Sequence, residues 1–304
     1  MKRADNLAEP AIQASTTSPT SPTLRSALLE ASAALAACYE SAWLEAELLL
    51  AHVLRRARSH LHAHPEGCLD AVAAAHFRSL LQRRIQGEPL AYLTGEREFW
   101  SLPLIVSPVV LIPRPESELL VERALALLSE PRSSDSGARR VAELGTGSGA
   151  IVLALASERP HWRLVASDRC AAALRVARLN AQRLGLAERI EFLEGDWFAP
   201  LRARRFHAIL SNPPYVSDSE ANDSSLRFEP RIALSAGPSG LEALTHLITH
   251  AGTFLEPGGW LVLEHGVAQG GPLERTLVAA GYARVRCHRD LTGRDRVTEA
   301  QWLP

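Results

Sequence analysis

The second half of the chain alternates short apolar runs with amphipathic stretches, and this pattern constrains the fold more than any other feature. The apolar runs have the length of buried strands, whereas the stretches between them carry apolar residues at helical spacing. Because parallel strands need crossover helices, the alternation predicts a doubly wound α/β domain with a mostly parallel sheet and helices on both faces. The predicted strands are residues 141–144, 163–167, 190–193, 207–211 and 260–264, and the predicted helices are residues 116–128, 150–157, 171–184 and 240–255.

The chain before this α/β domain divides into three segments of different composition. Residues 1–23 are polar and rich in Ser, Thr and Pro, so we expect a disordered leader. Residues 24–87 carry apolar side chains at helical spacing, with Asp70 placed to cap a helix, and they predict a small N-terminal helical domain. Short apolar runs broken by Ser and Pro in residues 88–113 predict a hairpin linker. The α/β domain then spans residues 114–304.

Charge and cysteine content argue against several classes of function. The chain has 33 basic and 34 acidic residues and a formal net charge of -1, so we expect no direct contact with nucleic acid. Its four cysteines and eleven histidines lack disulfide or metal-ligand spacing, which predicts no metal site and a reducing, cytoplasmic location. No apolar run is long enough to span a bilayer, so we expect no membrane contact.

A glycine-rich loop joins the first predicted strand of the α/β domain to its first helix. Its glycines permit a tight turn and let a ligand lie against bare backbone beside a helix N-terminus. An acid follows the second predicted strand, about 20 positions further on, where a carboxylate can accept hydrogen bonds from ribose hydroxyls. The loop also satisfies the looser dinucleotide fingerprint, so by itself it leaves NAD and S-adenosylmethionine open. The candidate cofactor residues are Gly145, Thr146, Gly147, Ser148, Gly149 and Asp168.

Two later segments favour S-adenosylmethionine over NAD. Trp197 lies in a Gly-Asp-Trp-Phe segment after the third strand, where an acid and an aromatic ring can flank an adenine. Residues 212–215 read Asn-Pro-Pro-Tyr and follow the fourth strand, at the carboxyl edge where ligands bind in open α/β sheets. A proline turn that ends a strand would explain the prolines but not the flanking Asn and Tyr.

The Asn-Pro-Pro-Tyr segment suits a planar nitrogen as methyl acceptor. Such a nitrogen is a poor nucleophile because its lone pair is delocalised, and a site can help by accepting hydrogen bonds from its N–H groups. The side-chain carbonyl of the Asn and the backbone carbonyl of the first Pro can accept them, while the prolines stiffen the loop and the Tyr offers a flat face for stacking. This chemistry leaves protein amides and DNA bases open. The predicted catalytic residues are Asn212, Pro213, Pro214 and Tyr215.

Taken together, these segments resemble the peptide chain release factor glutamine methyltransferase family, and the likeness covers nearly the whole chain after residue 24. It implies a small helical bundle joined by a hairpin to a seven-stranded, Rossmann-like methyltransferase domain that uses S-adenosyl-L-methionine. It also implies that the substrate is the glutamine of the Gly-Gly-Gln motif in bacterial class 1 release factors. The matching segments are residues 88–95, 111–116, 145–149, 195–198, 211–215, 228–230, 258–259, 264–266 and 290–296.

The resemblance also implies roles for particular residues. Residues 145–149, Asp168 and Trp197 would bind the cofactor, and residues 212–215 would hold the substrate amide, with the asparagine near both ligands. The helical domain would help to grip the release factor, and we expect a monomer. Ser117 departs from the family, which usually has Thr there, but the change keeps a hydroxyl.

Three rival functions use parts of the same pattern. One is a glutamine methyltransferase of a large-subunit ribosomal protein, but the Arg-Pro-Glu run at residues 114–116 looks more like the release-factor branch. Another is a DNA adenine-amino methyltransferase, which would normally bring a target-recognition domain and a basic groove for a flipped base. The last is a nucleotide-binding module without catalysis. Methyl transfer to a release factor is the function that the resemblance favours.

Overall fold

The computed structural model describes residues 21–128 and 138–304, and the chain divides into two compact units, Met1–Gln86 and Gly87–Pro304. Residues 1–20 of the predicted leader lie outside the described residues. The last residues of the predicted leader, Pro22 and Thr23, are part of the folded unit. The Pro22 carbonyl accepts from the Leu69 N–H at 2.9 Å, and the Thr23 side chain caps the first helix. A Ser/Thr/Pro composition suits helix caps as well as leaders, which is why composition misplaced this boundary.

Helices form the described part of the first unit. The helix caps have the expected chemistry, because the Thr23 hydroxyl accepts from the Ser26 N–H at 3.1 Å and the Asp70 carboxylate accepts from the Ala73 N–H at 2.7 Å. The capping role predicted for Asp70 is therefore confirmed. The helices are α1 (Leu24–Leu35), α2 (Ala42–Leu54), α3 (Arg58–Ala63) and α4 (Ala71–Ile85). Buried side chains of this unit include Leu28, Leu35, Leu49, Leu50, Leu61 and Phe77.

The second unit begins with a short helix and a hairpin. Helix α5 spans Leu90–Thr94, and strands β1 (Glu96–Phe99) and β2 (Leu102–Ile105) pair antiparallel. Trp100 and Ser101 connect the strands with φ angles of 54° and 59°. Two successive left-handed residues give the backbone twist that a two-residue hairpin turn requires. The predicted strand pair is therefore present.

Residues 88–113 belong to the second unit and do not form a separate linker. The buried Asn180 side chain holds the hairpin there: its Oδ1 accepts from the Ile105 N–H at 2.7 Å, and its Nδ2 donates to the carbonyls of Ile105 (3.0 Å) and Ser148 (2.9 Å). The apolar run at 109–112, one of the runs that together predicted the hairpin, forms no strand in this described stretch. Its apolar character comes from burial, since Val110 and Ile112 are core residues.

The rest of the second unit is a doubly wound α/β domain. In its described part, seven strands form one sheet in the order β5-β4-β3-β6-β7-β9-β8. Strands β3 to β7 run parallel, and β8 and β9 are antiparallel additions at one edge. The predicted, mostly parallel sheet is confirmed. The elements are α6 (Glu118–Leu127), β3 (Arg140–Leu144), α7 (Ala150–Glu158), β4 (Arg163–Asp168), α8 (Ala171–Arg183), β5 (Ile190–Glu194), β6 (Phe206–Ser211), α9 (Arg231–Leu234), α10 (Glu242–Ala251), β7 (Leu255–Glu264), α11 (Gly270–Ala279), β8 (Tyr282–Arg289) and β9 (Asp295–Trp302).

The core of this domain has two layers, one on each face of the sheet. Neighbouring residues of β3 alternate between them: Val141 packs with the side chains of α6 and α7, and Ala142 packs with those of α10 and α11. This alternation is the two-residue period of a strand, and both faces are apolar because helices cover both. The apolar runs that predicted the strands are a consequence of this double burial.

The sequence pattern was weakest at the antiparallel edge. It did not indicate β8, β9 or α11, and it extended the predicted helix at residues 240–255 beyond Ala251, where α10 ends. Strand β7 begins at Leu255, five residues before its predicted start, and includes Pro257 and two glycines. Edge strands with one exposed face carry many charged residues, so they lack the continuous apolar run of a parallel strand.

We expect Asn180→Ala to lower the free energy of unfolding by about 2 to 3 kcal/mol, because it leaves two backbone groups of Ile105 and the Ser148 carbonyl without their partner. Urea unfolding followed by tryptophan fluorescence measures this change, since every tryptophan except Trp43 lies in the second unit. The exposed Gln182→Ala on the same helix is the control. Equal stability of the two variants would contradict the anchoring role of Asn180.

Candidate active site

The site lies where the strand order reverses direction. From the central β3, the chain first adds β4 and β5 on one side and then β6 and β7 on the other. Leu144, the last residue of β3, is therefore in register with Ser167 of β4 and Ser211 of β6. The Ser211 hydroxyl also donates to the Leu144 carbonyl at 2.8 Å. Such a reversal opens a crevice at the carboxyl ends of the strands, where α/β sheets bind ligands.

The glycine-rich loop forms the floor of this crevice. Gly145, Gly147 and Gly149 have φ angles of 73°, 55° and 85°, a region that residues with a side chain rarely adopt. A Cβ on Gly149 would also lie 3.1 Å from Leu153 and 3.2 Å from Ala177, so this glycine allows α7 and α8 to pack closely. A Cβ on Gly147 would meet open space. The loop therefore exposes its backbone to a ligand.

The buried Glu143 side chain holds the glycine-rich loop in place. The side chain is 2% exposed, and its Oε2 accepts from the Thr146 hydroxyl at 2.7 Å and from the Val152 N–H at 3.0 Å. Burial raises the pKa of Glu143 to about 8, although both hydrogen bonds oppose the shift. The carboxyl thus ties the loop to the first turn of α7 while it stays largely protonated near neutral pH.

Asp168 stands at the end of β4, on the other side of the loop. Its Oδ2 accepts from the Gly147 N–H at 2.9 Å and its Oδ1 from the Cys170 N–H at 2.8 Å. Burial raises the pKa of Asp168, and the two backbone hydrogen bonds oppose the shift. Each oxygen keeps a further lone pair, so the oriented carboxyl can accept hydrogen bonds from ribose hydroxyls.

Trp197 follows β5 and lies next to the loop. Its φ angle is 44°, and a Cβ on Gly145 would stand 4.0 Å from Cζ3 of its indole. The Gly195 N–H donates to the Asp168 carbonyl at 3.1 Å, which ties this segment to the end of β4. The structure therefore brings the predicted aromatic residue, the glycine loop and the predicted ribose ligand together.

The Asn-Pro-Pro-Tyr segment begins at the end of β6. Asn212 and Pro214 line the crevice, whereas Pro213 and Tyr215 are not among its lining residues. The Asn212 Nδ2 donates to the Ser117 hydroxyl at 3.1 Å. Tyr215 turns away from the crevice, and its hydroxyl lies 3.4 Å from Oε1 of the buried Glu264. The Tyr215 ring is partly buried and packs against the core beneath the loop, and its predicted role as a stacking face stays a prediction.

Burial perturbs both members of the tyrosine–glutamate pair. It raises the pKa of Tyr215 to about 12, and the neighbouring Glu264 adds to this shift. It raises the pKa of Glu264 to about 7, against the Ser117 hydroxyl and the Arg296 guanidinium, which favour the charged form. A buried carboxyl that titrates near neutrality thus lies beneath the Asn-Pro-Pro-Tyr segment.

Sequence reasoning missed one wall of the crevice. This wall is formed by the irregular segment before α6 and by α9. Only the Leu-Ile-Pro-Arg-Pro-Glu run at residues 111–116, which resembles the family, had indicated part of it. The whole crevice is open to solvent. The lining residues that the sequence did not indicate include Phe99, Val109, Val110, Leu111, Pro113, Arg114, Ser117, Ile232 and Ala233.

The lining residues are compatible with S-adenosylmethionine. The carboxyl groups of Asp168 and Asp196 line the crevice together with the Arg169 side chain, while the Arg114 guanidinium there is paired with Glu229. Ionised carboxyl groups attract the sulfonium and the ammonium of this cofactor. The open space above Gly147 and the apolar wall leave room for an adenosine, whose ribose can bind the Asp168 carboxyl group.

The fold and this site define a Rossmann-like, S-adenosylmethionine-dependent methyltransferase. Solved structures agree on the fold. The chain is similar to a methyltransferase from Pyrococcus furiosus, with a TM-score of 0.51, 17% identity, and coverage of 73% of this chain and 99% of the other. It is also similar to the delta-N METTL16 MTase domain, with a TM-score of 0.52, 18% identity, and coverage of 67% and 89%.

The sequence relatives identify the family. The PrmC N-terminal domain model matches residues 26–95, and the methyltransferase small domain model matches residues 117–228. Proteins named release factor glutamine methyltransferase share 44% identity over 85% of this chain and 91% of their own in Coxiella burnetii, and 48% over 84% and 91% in Xylella fastidiosa. The one in Escherichia coli shares 45% over 85% and 92%. The chain belongs to the release factor glutamine methyltransferase family.

Two further findings concern the described residues alone. Across residues 21–128 and 138–304, no helix is both long and apolar enough to cross a lipid bilayer. In the same ranges, no cluster of three or more His, Cys, Asp or Glu side chains is placed to hold a metal ion.

We expect the stability of the chain to depend on pH through Glu143. Its pKa is about 8 in the folded chain against an ordinary value of 4.5, so its contribution to stability is fully present below 4.5 and is lost as the pH rises through 8. Glu143→Gln keeps an acceptor oxygen but cannot ionise. Between pH 6 and pH 8, the wild type should therefore lose on the order of 2 kcal/mol of unfolding free energy relative to this variant.

Urea unfolding of both proteins at the two pH values, without cofactor, measures this difference. Comparison within the pair cancels the titration of all other groups. A stability difference that stays the same at both pH values would show that the Glu143 carboxyl does not titrate in this range.

Proposed function

We propose that this chain transfers the methyl group of S-adenosylmethionine to the side-chain amide nitrogen of the glutamine in the Gly-Gly-Gln motif of class 1 peptide chain release factors, and so supports translation termination. The observation that carries the proposal is the position of Asn212, which lines the cofactor crevice and follows the strand beside the glycine loop. The names of the relatives, at 42% to 48% identity over most of the chain, support this substrate.

We assign the cofactor to the glycine-rich loop and its neighbours. Residues 145–149 would hold it against their backbone, Asp168 would bind the ribose and Trp197 would flank the adenine. Asn212 would lie near both ligands. The support for these roles is that the crevice is lined by each of the three side chains and by residues 145–148.

The Asn-Pro-Pro-Tyr segment would bind the substrate amide. The Asn212 Oδ1 and the Pro213 backbone carbonyl would accept the two N–H groups of the glutamine amide, which orients its nitrogen lone pair toward the methyl donor. Pro214 would shape the wall of the crevice, and Tyr215 would anchor the segment through its partly buried ring, which packs against the core. In this role Tyr215 acts through packing rather than through contact with the substrate.

Catalysis in this site would rest on placement and charge. The bound cofactor supplies a methyl group already activated by its sulfonium. The two carbonyl acceptors would stabilise the positive charge that develops on the amide nitrogen as the new C–N bond forms and the bond between the methyl carbon and the sulfonium sulfur breaks, with S-adenosylhomocysteine as the leaving group. The nitrogen then becomes acidic and can release its proton to water, so no strong general base is required.

The rival substrates receive less support. A DNA adenine methyltransferase would need a basic groove to hold a flipped base, and the chain carries a formal net charge of -1. The relatives cited above are named for a release factor and not for a ribosomal protein. We therefore propose a cytoplasmic monomer that contacts no nucleic acid directly and uses its helical first unit to grip the release factor.

Methyl transfer from labelled S-adenosylmethionine tests the substrate directly. The purified chain is incubated with a release factor, with the same factor carrying Gln→Ala in its Gly-Gly-Gln motif, with ribosomes, and with DNA. We expect label only in the unaltered release factor. Label in ribosomes or DNA with none in the release factor would overturn the proposal.

Asp168→Ala and Asn212→Ala should separate cofactor binding from transfer. We expect Asp168→Ala to raise the Kd of S-adenosylmethionine at least tenfold, because two ribose hydrogen bonds are lost. We expect Asn212→Ala to lower kcat by about a hundredfold or more while it changes that Kd by less than about threefold. Calorimetric titration and single-turnover transfer measure the two quantities. An Asn212→Ala variant with wild-type kcat would exclude the role assigned to this residue.

A further inference from the structure

A side-chain amide from the loop after β7 holds the backbone of the Asn-Pro-Pro-Tyr segment. Gln269 directly precedes α11 and is half-buried. Its Nε2 donates to the Tyr215 carbonyl at 3.0 Å and to the Gly240 carbonyl at 3.1 Å, while its Oε1 accepts from the Gly266 N–H at 2.8 Å. One side chain thus joins three loops, which follow β6, precede α10 and follow β7.

The three hydrogen bonds fix which end of the Gln269 amide faces the segment. A side-chain amide has one carbonyl oxygen that accepts and one NH₂ group with two hydrogens to donate. The oxygen meets the single donor, the Gly266 N–H, and the nitrogen meets the two carbonyls. The opposite orientation would bring the oxygen against two carbonyl oxygens and the NH₂ group against an N–H. The partners therefore determine the orientation of the amide.

The backbone of Gln269 is held as firmly as its side chain. Its N–H donates to the Gly266 carbonyl at 2.9 Å, and its own carbonyl accepts from the Leu273 N–H at 2.9 Å in the first turn of α11. Gln269 stands at the N-cap position of this helix, but its side chain does not cap it. The side chain reaches the other two loops instead, so α11 and the turn before it form a fixed base for the contact.

The backbone around the amide leaves room for this contact. A Cβ on Gly240, whose φ angle is 77°, would lie 2.7 Å from the Tyr215 carbonyl oxygen and 3.2 Å from the Gln269 Nε2. A Cβ on Gly266 would lie 3.1 Å from the Gln269 Oε1 and 3.6 Å from Cδ2 of the Tyr215 ring. The two glycines therefore allow the amide to approach the Tyr215 backbone closely.

The two prolines link the Tyr215 carbonyl to the groups that are proposed to bind the substrate. Pro213 and Pro214 have no N–H to donate, and their rings fix φ at about −65°. Because few torsions between Asn212 and Tyr215 are free to rotate, the position of one end of the segment limits the position of the other. The first end is held as well, since the Asn212 Nδ2 donates to the Ser117 hydroxyl at 3.1 Å.

We propose that Gln269 is a positioning residue for methyl transfer. By holding the Tyr215 carbonyl, it keeps the segment in the position from which the Asn212 Oδ1 and the Pro213 carbonyl face the substrate amide. Gln269 is not among the residues that line the crevice, so it acts on the substrate through this segment. This inference rests on the proposed function, because it assumes that these two carbonyls bind the substrate amide.

Gln269→Glu and Gln269→Leu test this inference. The leucine removes all three hydrogen bonds, whereas the glutamate keeps the shape of the side chain and an acceptor for the Gly266 N–H but loses the NH₂ group. We expect kcat for the release factor to fall at least tenfold in both variants at about pH 8, because the segment shifts and its carbonyls lose their alignment. The KM for the release factor and the Kd for S-adenosylmethionine should each change by less than about threefold.

Gln301→Glu is the matched control for added charge and lost stability. Gln301 is also half-buried, and its Nε2 donates to the Gly258 carbonyl at 2.8 Å. This contact lies in the amino-terminal half of β7, away from the carboxyl ends of the strands, where the crevice opens. The substitution adds the same charge and removes a hydrogen bond of the same kind, so kcat should stay within about threefold of the wild type. Thermal unfolding of each variant reports whether it is folded.

The outcomes distinguish the two proposals. A wild-type chain that does not methylate the release factor contradicts the proposed function. An active wild type whose folded Gln269→Glu variant keeps its kcat contradicts the positioning role alone. An equal fall in kcat in Gln301→Glu also contradicts that role, because added charge or lost stability would then be the cause. A fall in kcat confined to the Gln269 variants, with KM and Kd nearly unchanged, supports it.

Discussion

Parallel pairing of β3 with both β4 and β6 is the constraint on which the rest of the structure depends. Because the chain changes direction at β3, the loops after β3 and β6 leave the sheet side by side and no helix can cover the gap between them. One loop carries the glycines, and the other begins with Asn212. The two tasks that we propose for these loops, cofactor binding and substrate orientation, thus meet at one crevice.

Buried carboxyl groups at the strand ends support this crevice. Glu143 lies next to the end of β3 and ties the glycine loop to α7, whereas Glu264 ends β7 and its Oε1 lies 3.4 Å from the Tyr215 hydroxyl. Burial raises the pKa of both groups, and a nearby hydroxyl, of Thr146 or of Ser117, opposes each shift. A neutral carboxyl can be buried at modest cost, and its oxygens hold nearby groups in a fixed orientation.

The parts that could be predicted from sequence share a local cause. Each parallel strand is buried on both faces and is therefore an apolar run in the sequence. The glycine loop is recognisable from its composition because its positive φ angles require glycine. Asp168 followed from its spacing after that loop. Strand β8 escaped prediction because it is the exposed edge of the sheet, and β9 escaped because its buried stretch includes Thr298 and Glu299 and so lacks an apolar run. The wall at residues 109–114 escaped because its apolar side chains have no regular period.

The sequence by itself determined the doubly wound sheet and the glycine-rich loop with its acid, and it predicted a planar nitrogen as the group that Asn212 binds, since each depends on residue types at short spacing. Only the tertiary structure decided that the Tyr215 hydroxyl lies 3.4 Å from Glu264 and that the Asn212 side chain donates to the Ser117 hydroxyl. These contacts join residues 49 and 95 positions apart. Such contacts arise from the order and register of strands, which no local pattern encodes.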